Sequence, residues 1–417
     1  MNLFLKNKAI TIPIILGGFV NGLGLIRSFG YKKIPTILLD KKKTFSFYSR
    51  YTTGYLCPDP EKDEQEFINY LINLGKTLPN KGVLFATNDI WLIPISKNRK
   101  ELSQYYHFPM AEWDVIEKCW NKKYLYPIAE SNGIPIPKTF FLDTAHELDS
   151  VADQIRYPCV LKPSITIGFL EKLKSNGRAI VIEDKKELAI WKERIIQADL
   201  GDVPLILQEQ VEGPPTGLYT ITSYANRNSD IIAYSTGHKI RQYPPDAGTI
   251  TSGRLHDDPQ VYELGKKLIK SLNFHGISNI EFKKDERDNT FNLIEINPRP
   301  GMWNYSALMS GINLPYLAYC DILQKEVCQP ESELSKNGVW VFLPGDLVNS
   351  LYTNRKKGYH AHVLTFRQWL NSLHGRKIFA IESLDDPLPG VYHWMQFSKS
   401  TILAIIGGQR NLVEDIR

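Results

Sequence analysis

Apolar and polar positions fall into short blocks along the first hundred residues. Residues 12–16 form an apolar run, followed by a glycine-rich stretch at 17–24, a helix-like segment at 25–29 and a second apolar run that ends on Asp40. Continuous apolar runs of this length, bounded by turn residues, predict buried strands. The order strand, glycine turn, helix, strand predicts a βαβ unit, whose turn presents backbone N–H groups of a helix N-terminus to an anion. The glycine spacing departs from Gly-x-Gly-x-x-Gly, which argues against a dinucleotide site. A helix near 61–74, a strand at 82–87 and a helix around 90–103 continue the alternation and predict one α/β unit.

From about residue 114 the pattern changes. A helix is predicted up to Gly133, then an extended Ile134-Pro-Ile-Pro-Lys-Thr139, then a short buried strand, Tyr157-Pro-Cys-Val-Leu-Lys162, that closes on a lysine. Residues 164–177 carry Gly168, Lys172, Lys174 and Gly177 and read as a mobile basic loop. A strand at 179–183, an amphipathic helix at 185–198 and a strand at 205–212 running into Gly213 follow. Strands near 219–225 and 231–240, a helix at 259–272, and two strands around the polar turn Asp285-Glu-Arg-Asp-Asn289 complete this stretch. The tail from about 335 mixes apolar alternation with Arg and Lys clusters and suggests no chemistry.

The two strands around that turn carry the most informative side chains. Alternation sets Glu281 on the face opposite Phe282, and Glu295 opposite Ile294 and Ile296. A register that opposes Glu281 to Glu295 leaves residues 287–289 as the loop. Two facing carboxylates repel unless neutralised, and Asn297 and Arg299 continue the same face. One solution is a divalent cation on Glu281, Glu295 and Asn297, with Arg299 reaching a phosphate; hard oxygen ligands point to Mg or Mn. The other is an exposed hairpin face with ordinary charges, and the pattern alone does not choose. Lys162, at the end of an apolar strand, calls for a neighbouring anion or for a stem that snorkels to water. Lys122, in a helix start, says little by itself. Gln208-Glu-Gln-Val-Glu-Gly213 suits either a surface turn or a hinge whose backbone reads an adenine edge.

Composition narrows the class. At 417 residues the chain divides into two to four units, and 43% hydrophobic with 23% charged residues describes an ordinary globular protein. The formal charge of +5 is too small and scattered for nucleic acid and suits anionic small molecules. Cys57, Cys119, Cys159, Cys320 and Cys328 are odd in number, distant and without metal spacing, which fits reduced thiols in the cytoplasm. The glycines and Arg27 interrupt the apolar stretch at 12–26, so neither a signal peptide nor a membrane span is expected. His360-Ala-His362 could share one strand face, but without a third ligand nearby two ordinary surface histidines are the simpler reading.

Taken in order, Asn121-Lys122, Pro158-Cys-Val-Leu-Lys162-Pro, Gln208-Glu-Gln-Val-Glu-Gly213, Ile280-Glu281-Phe and Ile294-Glu-Ile-Asn-Pro-Arg299 resemble the ATP-grasp superfamily over roughly residues 110–325. The wording Gly276-Ile-Ser-Asn-Ile-Glu-Phe282 is most similar to the carbamoyl-phosphate-synthase-like carboxylate-amine ligases. Two departures stand out: Asn121 occupies a position where the family often has Asp, and residues 300–305 do not map onto the family pattern.

The resemblance implies an α/β architecture: a Rossmann-like pre-ATP-grasp domain at 1–112, a small lobe at 113–206 with a phosphate loop at 164–177, a large lobe at 207–330, and a C-terminal extension at 331–417. It also implies residue roles. Lys122 and Lys162 contact ATP. Glu209, Gln210, Val211 and Glu212 form the adenine hinge, reading through the backbone of Gln210 and Glu212. Glu281, Glu295 and Asn297 hold Mg or Mn, and Arg299 meets the transferred phosphate.

The expected reaction is ATP-dependent joining of a small-molecule or peptide carboxylate to an amine through an acylphosphate, with Arg241 and Arg254 as candidate cations for the tetrahedral oxyanion. The loop at 164–177 would close over the phosphates. Neither nucleic acid nor membrane insertion is expected, and a homodimer is compatible. A kinase-like enzyme leaving a lasting phosphorylated product, or a nucleotide-binding protein without turnover, are the competing functions.

Overall fold

The computed structural model describes residues 11–163, 173, 180–245, 248–326 and 338–407. Nearly all of the basic loop expected at 164–177, and Cys328, lie outside them.

Five parallel strands open the chain: β1 (Pro13–Leu16), β2 (Thr36–Asp40), β3 (Thr52–Leu56), β4 (Gly82–Ala86) and β5 (Tyr106–His107), in the order β3-β2-β1-β4-β5. Every residue of β1, β2 and β4 is buried because helices cover both faces, which is why their sequences are apolar runs rather than alternations. Successive side chains enter different cores: Ile14 and Leu16 pack with Phe67, Leu71 and Trp91, whereas Ile15 packs with Phe29, Phe85 and Tyr319.

The glycine-rich stretch is not one long turn. Gly17, at φ +92°, turns the chain and the helix Val20–Gly30 begins three residues later. Gly22 and Gly24 lie inside that helix, where a Cβ would strike the Gly17 carbonyl or crowd Tyr305. Their role is close packing.

A four-stranded antiparallel sheet follows, in the order β6-β9-β7-β8: β6 (Thr139–Leu142), β7 (Cys159–Pro163), β8 (Ile180–Ile182) and β9 (Leu205–Glu209). Its core of Leu142, Leu161, Leu188, Ile195 and Leu207 is separate from the others.

The largest sheet has seven strands in the order β14-β13-β10-β11-β12-β15-β16. They are β10 (Leu218–Ala225), β11 (Ile231–Tyr243), β12 (Thr249–Leu255), β13 (Gly276–Lys284), β14 (Phe291–Asn297), β15 (Gly338–Val341) and β16 (Arg376–Phe379). The tail is therefore built into the fold, with β15 and β16 extending the sheet. Beyond them Asp386 is tied to the first unit: its carboxylate accepts from Arg27 Nε at 3.1 Å, Ser49 Oγ at 2.8 Å and the Arg50 N–H at 2.9 Å. Arg27 is fully buried. His360–His362 forms a 3-10 turn, so the two histidines do not share a strand face.

Candidate active site

All three sheets contribute to one cleft of about 1750 Å³. From the parallel sheet come Gly17, Gly18 and Asp40, at the C-terminal ends of β1 and β2, where open α/β sheets bind ligands. The four-stranded sheet supplies Lys162 and Gln208. The large sheet supplies Lys239, Glu281, Glu295, Asn297 and Arg299.

Glu281 pairs directly with Glu295 across β13 and β14, as the alternation predicts. The connection is longer than expected. The register slips by one residue between Glu281 and Phe282, so Lys284 faces Phe291 and the turn is residues 285–290 rather than 287–289. Ile294 is the extra residue of this bulge, and bulges re-aim groups next to functional sites. Its carbonyl accepts from Lys122 Nζ at 2.7 Å and from the Tyr126 hydroxyl at 3.0 Å. The helix Lys122–Ser131 begins at Lys122 with Asn121 as its N-cap, accepting from the Lys123 N–H at 3.0 Å. Asn121 thus serves as a capping side chain.

Lys162 Nζ donates to Gln208 Oε1 at 3.1 Å, and the Gln208 amide in turn donates to Tyr126 and Thr139. Burial, with the neighbouring Lys122 cation, pushes the Lys162 ammonium down to about 7. Burial also opposes the Lys122 charge, but Tyr126 and Glu295 outweigh it and hold that group above the ordinary lysine value. Such a pair of half-buried ammonium groups is suited to a polyanion.

Burial raises the Glu281 carboxyl above the usual carboxylate range; Lys239 opposes the rise and the facing Glu295 adds to it. For Glu295 burial acts the same way, but Lys122, the Asn297 amide, Lys239 and Arg299 outweigh it and lower the value. The Asn297 amide donates to Glu295 at 3.1 Å, and its carbonyl oxygen accepts from Arg299 at 3.1 Å. Two facing carboxylates beside an amide oxygen fit Mg, which is held by one or two carboxylates together with substrate phosphates. Among the described residues no cluster of three or more His, Cys, Asp or Glu could hold a metal.

The hinge segment is only partly free to read a base. The Gln210 N–H donates to the Pro158 carbonyl at 3.3 Å, and the Glu212 carbonyl accepts from the Glu286 N–H at 3.3 Å. The Glu212 carboxylate meets Arg287 at 3.4 Å, and Glu212 does not line the cleft. Glu209, Gln210 and Val211 do, as do the apolar Val160, Leu218 and Ile294. Among the described residues the Gln210 carbonyl and the Val211 N–H have no protein partner, and they form the free edge of the hinge.

Arg241 and Arg254 are not brought to the cleft. Bulges in β11 around Arg241 break its register with β12. The Arg241 guanidinium grips the fully buried Asp346 with Nε at 2.9 Å and Nη2 at 2.6 Å, and Nη1 meets Ser372. Arg254 reaches the carbonyls of Ser372 and His374. Both hold the tail against the large sheet.

Two polar groups that the sequence reading did not single out line the cleft or touch its residues. Lys239, 5% exposed, contacts Glu281 at 3.2 Å. Its spacing from Arg241 is the available signal: period two sets both on one strand face, and the bulges around Arg241 with the sheet packing decide which one meets the carboxylates. Asp89, at the start of the helix Asp89–Lys97, accepts two bonds from Arg299, and nothing local in the sequence marks it.

A family model described as "ATP-grasp in the biosynthetic pathway with Ter operon" matches residues 230–339. The chain is 25% identical over 315 residues to a D-aspartate ligase of Enterococcus faecium (strain Aus0004), covering 73% of this chain and 74% of the relative. Among solved structures, N5-carboxyaminoimidazole synthetase from Staphylococcus aureus complexed with ADP superposes with a TM-score of 0.62 at 17% identity, covering 85% of this chain and 88% of that one. An L-amino acid ligase from Bacillus licheniformis gives 0.57 at 17% identity over 75% and 74%. No helix among the described residues is long and apolar enough to cross a membrane.

Proposed function

Because the chain belongs to the ATP-grasp superfamily, we propose that its cleft binds ATP and joins a carboxylate to an amine, releasing ADP and phosphate. One observation carries this reading: Glu281 and Glu295 oppose each other on adjacent strands, in the same cleft as Lys122, Lys162 and Arg299.

In this reading the adenine lies between Val160, Leu218 and Ile294, with its edge on the Gln210 carbonyl and the Val211 N–H. Lys162 and Lys122 meet the phosphates. Glu281, Glu295 and Asn297 would hold Mg or Mn, which would supply positive charge to the phosphate oxygens. Arg299 orients the γ-phosphoryl group. A substrate carboxylate oxygen attacks the γ-phosphorus, the bond to the bridging oxygen breaks, and ADP leaves with formation of an acylphosphate. The amine then attacks the acyl carbon, loses a proton and expels phosphate. Lys239 takes the place first given to Arg241 and Arg254 as the cation beside the tetrahedral oxyanion.

The relative named a D-aspartate ligase and the neighbour named an L-amino acid ligase favour an amino acid or short peptide as one substrate. The buried cysteines Cys57, Cys119, Cys159 and Cys320, none of them in a disulfide, favour the cytoplasm. Leu388, Val391 and Met395, exposed on one face of the helix Pro387–Gly407, favour a homodimer.

The test is an ADP-release screen over acid and amine pairs with mass detection of the product. A joined product is expected; a lasting phosphorylated acid or alcohol would replace the ligase by a kinase.

A further inference from the structure

The cleft is larger than a nucleotide site requires. Small-molecule pockets usually enclose roughly 300–1,000 Å³, and this one encloses about 1750 Å³. The excess is not lined like the phosphate region. Phe19, Phe45, Ile250, Met302, Trp303 and Phe397 supply apolar and aromatic surface.

This wall is built from parts distant in sequence. Phe19 and Phe45 follow β1 and β2, and their rings lie 5.7 Å apart. His393, on the helix Pro387–Gly407, packs 5.4 Å from Phe45 and 5.4 Å from Phe342. Trp303 lies over Gly237 and Gly253; a Cβ at Gly237 would fall 3.2 Å from the indole, and one at Gly253 would overlap it. The glycines on adjacent strands leave room for the indole at the cleft wall. Burial pushes His393 down to about 4, so it adds no charge at neutral pH. The Gln396 amide donates to Tyr392 at 2.9 Å. Lys41, Lys42 and Lys43 follow Asp40 along the cleft, and Lys41 is held by Asp59 and Glu61.

We propose that this aromatic wall is a side-chain subsite and that one of the two joined substrates carries a bulky apolar or aromatic group. An acidic side chain would lose hydration against these rings. The inference rests on the ligase reading for the identity of its occupant, and it assigns the C-terminal segment, through Phe397, a part in specificity.

Equilibrium binding separates the two. With ADP and Mg present, calorimetry is run with phenylalanine of either hand, alanine and aspartate as probes. Phenylalanine is expected to bind at least tenfold more tightly than aspartate. Met302→Ala and Phe397→Ala should each weaken phenylalanine on the order of tenfold and leave ADP affinity unchanged. Aspartate or alanine binding as well as phenylalanine, or no aromatic binding at all, overturns the subsite. If phenylalanine binds as expected but no acid and amine pair yields a joined product, the ligase reading fails and the subsite stands.

Discussion

Arg299 of the large sheet and Asp89 of the first unit form a two-point ion pair, Nε to Oδ1 at 2.8 Å and Nη2 to Oδ2 at 3.1 Å. The same Nη2 also donates to Asn297. The guanidinium plane is thus fixed by one carboxylate from the parallel-sheet unit and one amide beside Glu295, and in the proposed reaction Nη1 addresses a phosphate. Asp89→Asn removes the charge that orients Arg299. It should lower kcat about tenfold to a hundredfold, because small misplacements of a positioning group are costly, while the KM for ATP changes little. A KM effect without a kcat effect would show that Asp89 acts on binding instead.

Glu295→Gln keeps the shape of the hairpin but removes a carboxylate from the proposed cation site. ADP release should fall roughly 100- to 1,000-fold, with circular dichroism unchanged. Near-normal turnover would remove Glu295 from the metal-binding set.

Lys162, depressed to about 7 by burial and by Lys122, is largely neutral in the free protein above that pH. A bound polyphosphate favours its charged form. Nucleotide binding should therefore take up a proton between pH 7 and 10, and affinity should weaken as pH rises through 7. Calorimetry in buffers of different ionisation enthalpy reads the uptake directly, and Lys162→Met should abolish it.

His238, His275 and His393 are each lowered to about 4, chiefly by burial. Unfolded, they take up protons near pH 6.5, so the unfolded state binds more protons between about 6.5 and 4, and stability falls as pH drops through that window. Urea midpoints at pH 7 and pH 5 should differ. His393→Leu should reduce the difference, since His393 lies between Phe45 and Phe342 and an aliphatic side chain suits that site.

Asp386 joins the tail to the buried Arg27. Asp386→Ala leaves that guanidinium without its carboxylate and should cost about 3–5 kcal/mol in stability. Chemical denaturation measures the loss. An unchanged midpoint would mean that the tail is held by the Phe45 and Phe342 contacts with His393 instead.

Much of the local architecture is legible from residue order alone. Apolar runs at β1, β2 and β4 announce a parallel sheet because both faces of such strands must be covered. The alternation around Glu281 and Glu295 places both carboxylates on one face because a strand has period two. The bulge at Ile294 leaves no local signature, since it depends on how Lys122 and Tyr126 approach from a helix more than 160 residues earlier. The glycines at 22 and 24 look like a turn in sequence, yet they serve helix packing against Gly17 and Tyr305.

The sequence by itself determined which chemical groups are present and which share a strand face: Lys122, Lys162, Glu281, Glu295, Asn297 and Arg299 follow from motif order and period. Tertiary structure decided which cation serves the cleft. Arg241 and Lys239 are two residues apart on β11, but Asp346 and Ser372 from the tail claim Arg241, while Lys239 turns to Glu281. Only the packing of the tail against the large sheet distinguishes them, because the partners that claim Arg241 lie more than a hundred residues away, whereas Lys239 meets a carboxylate of its own sheet.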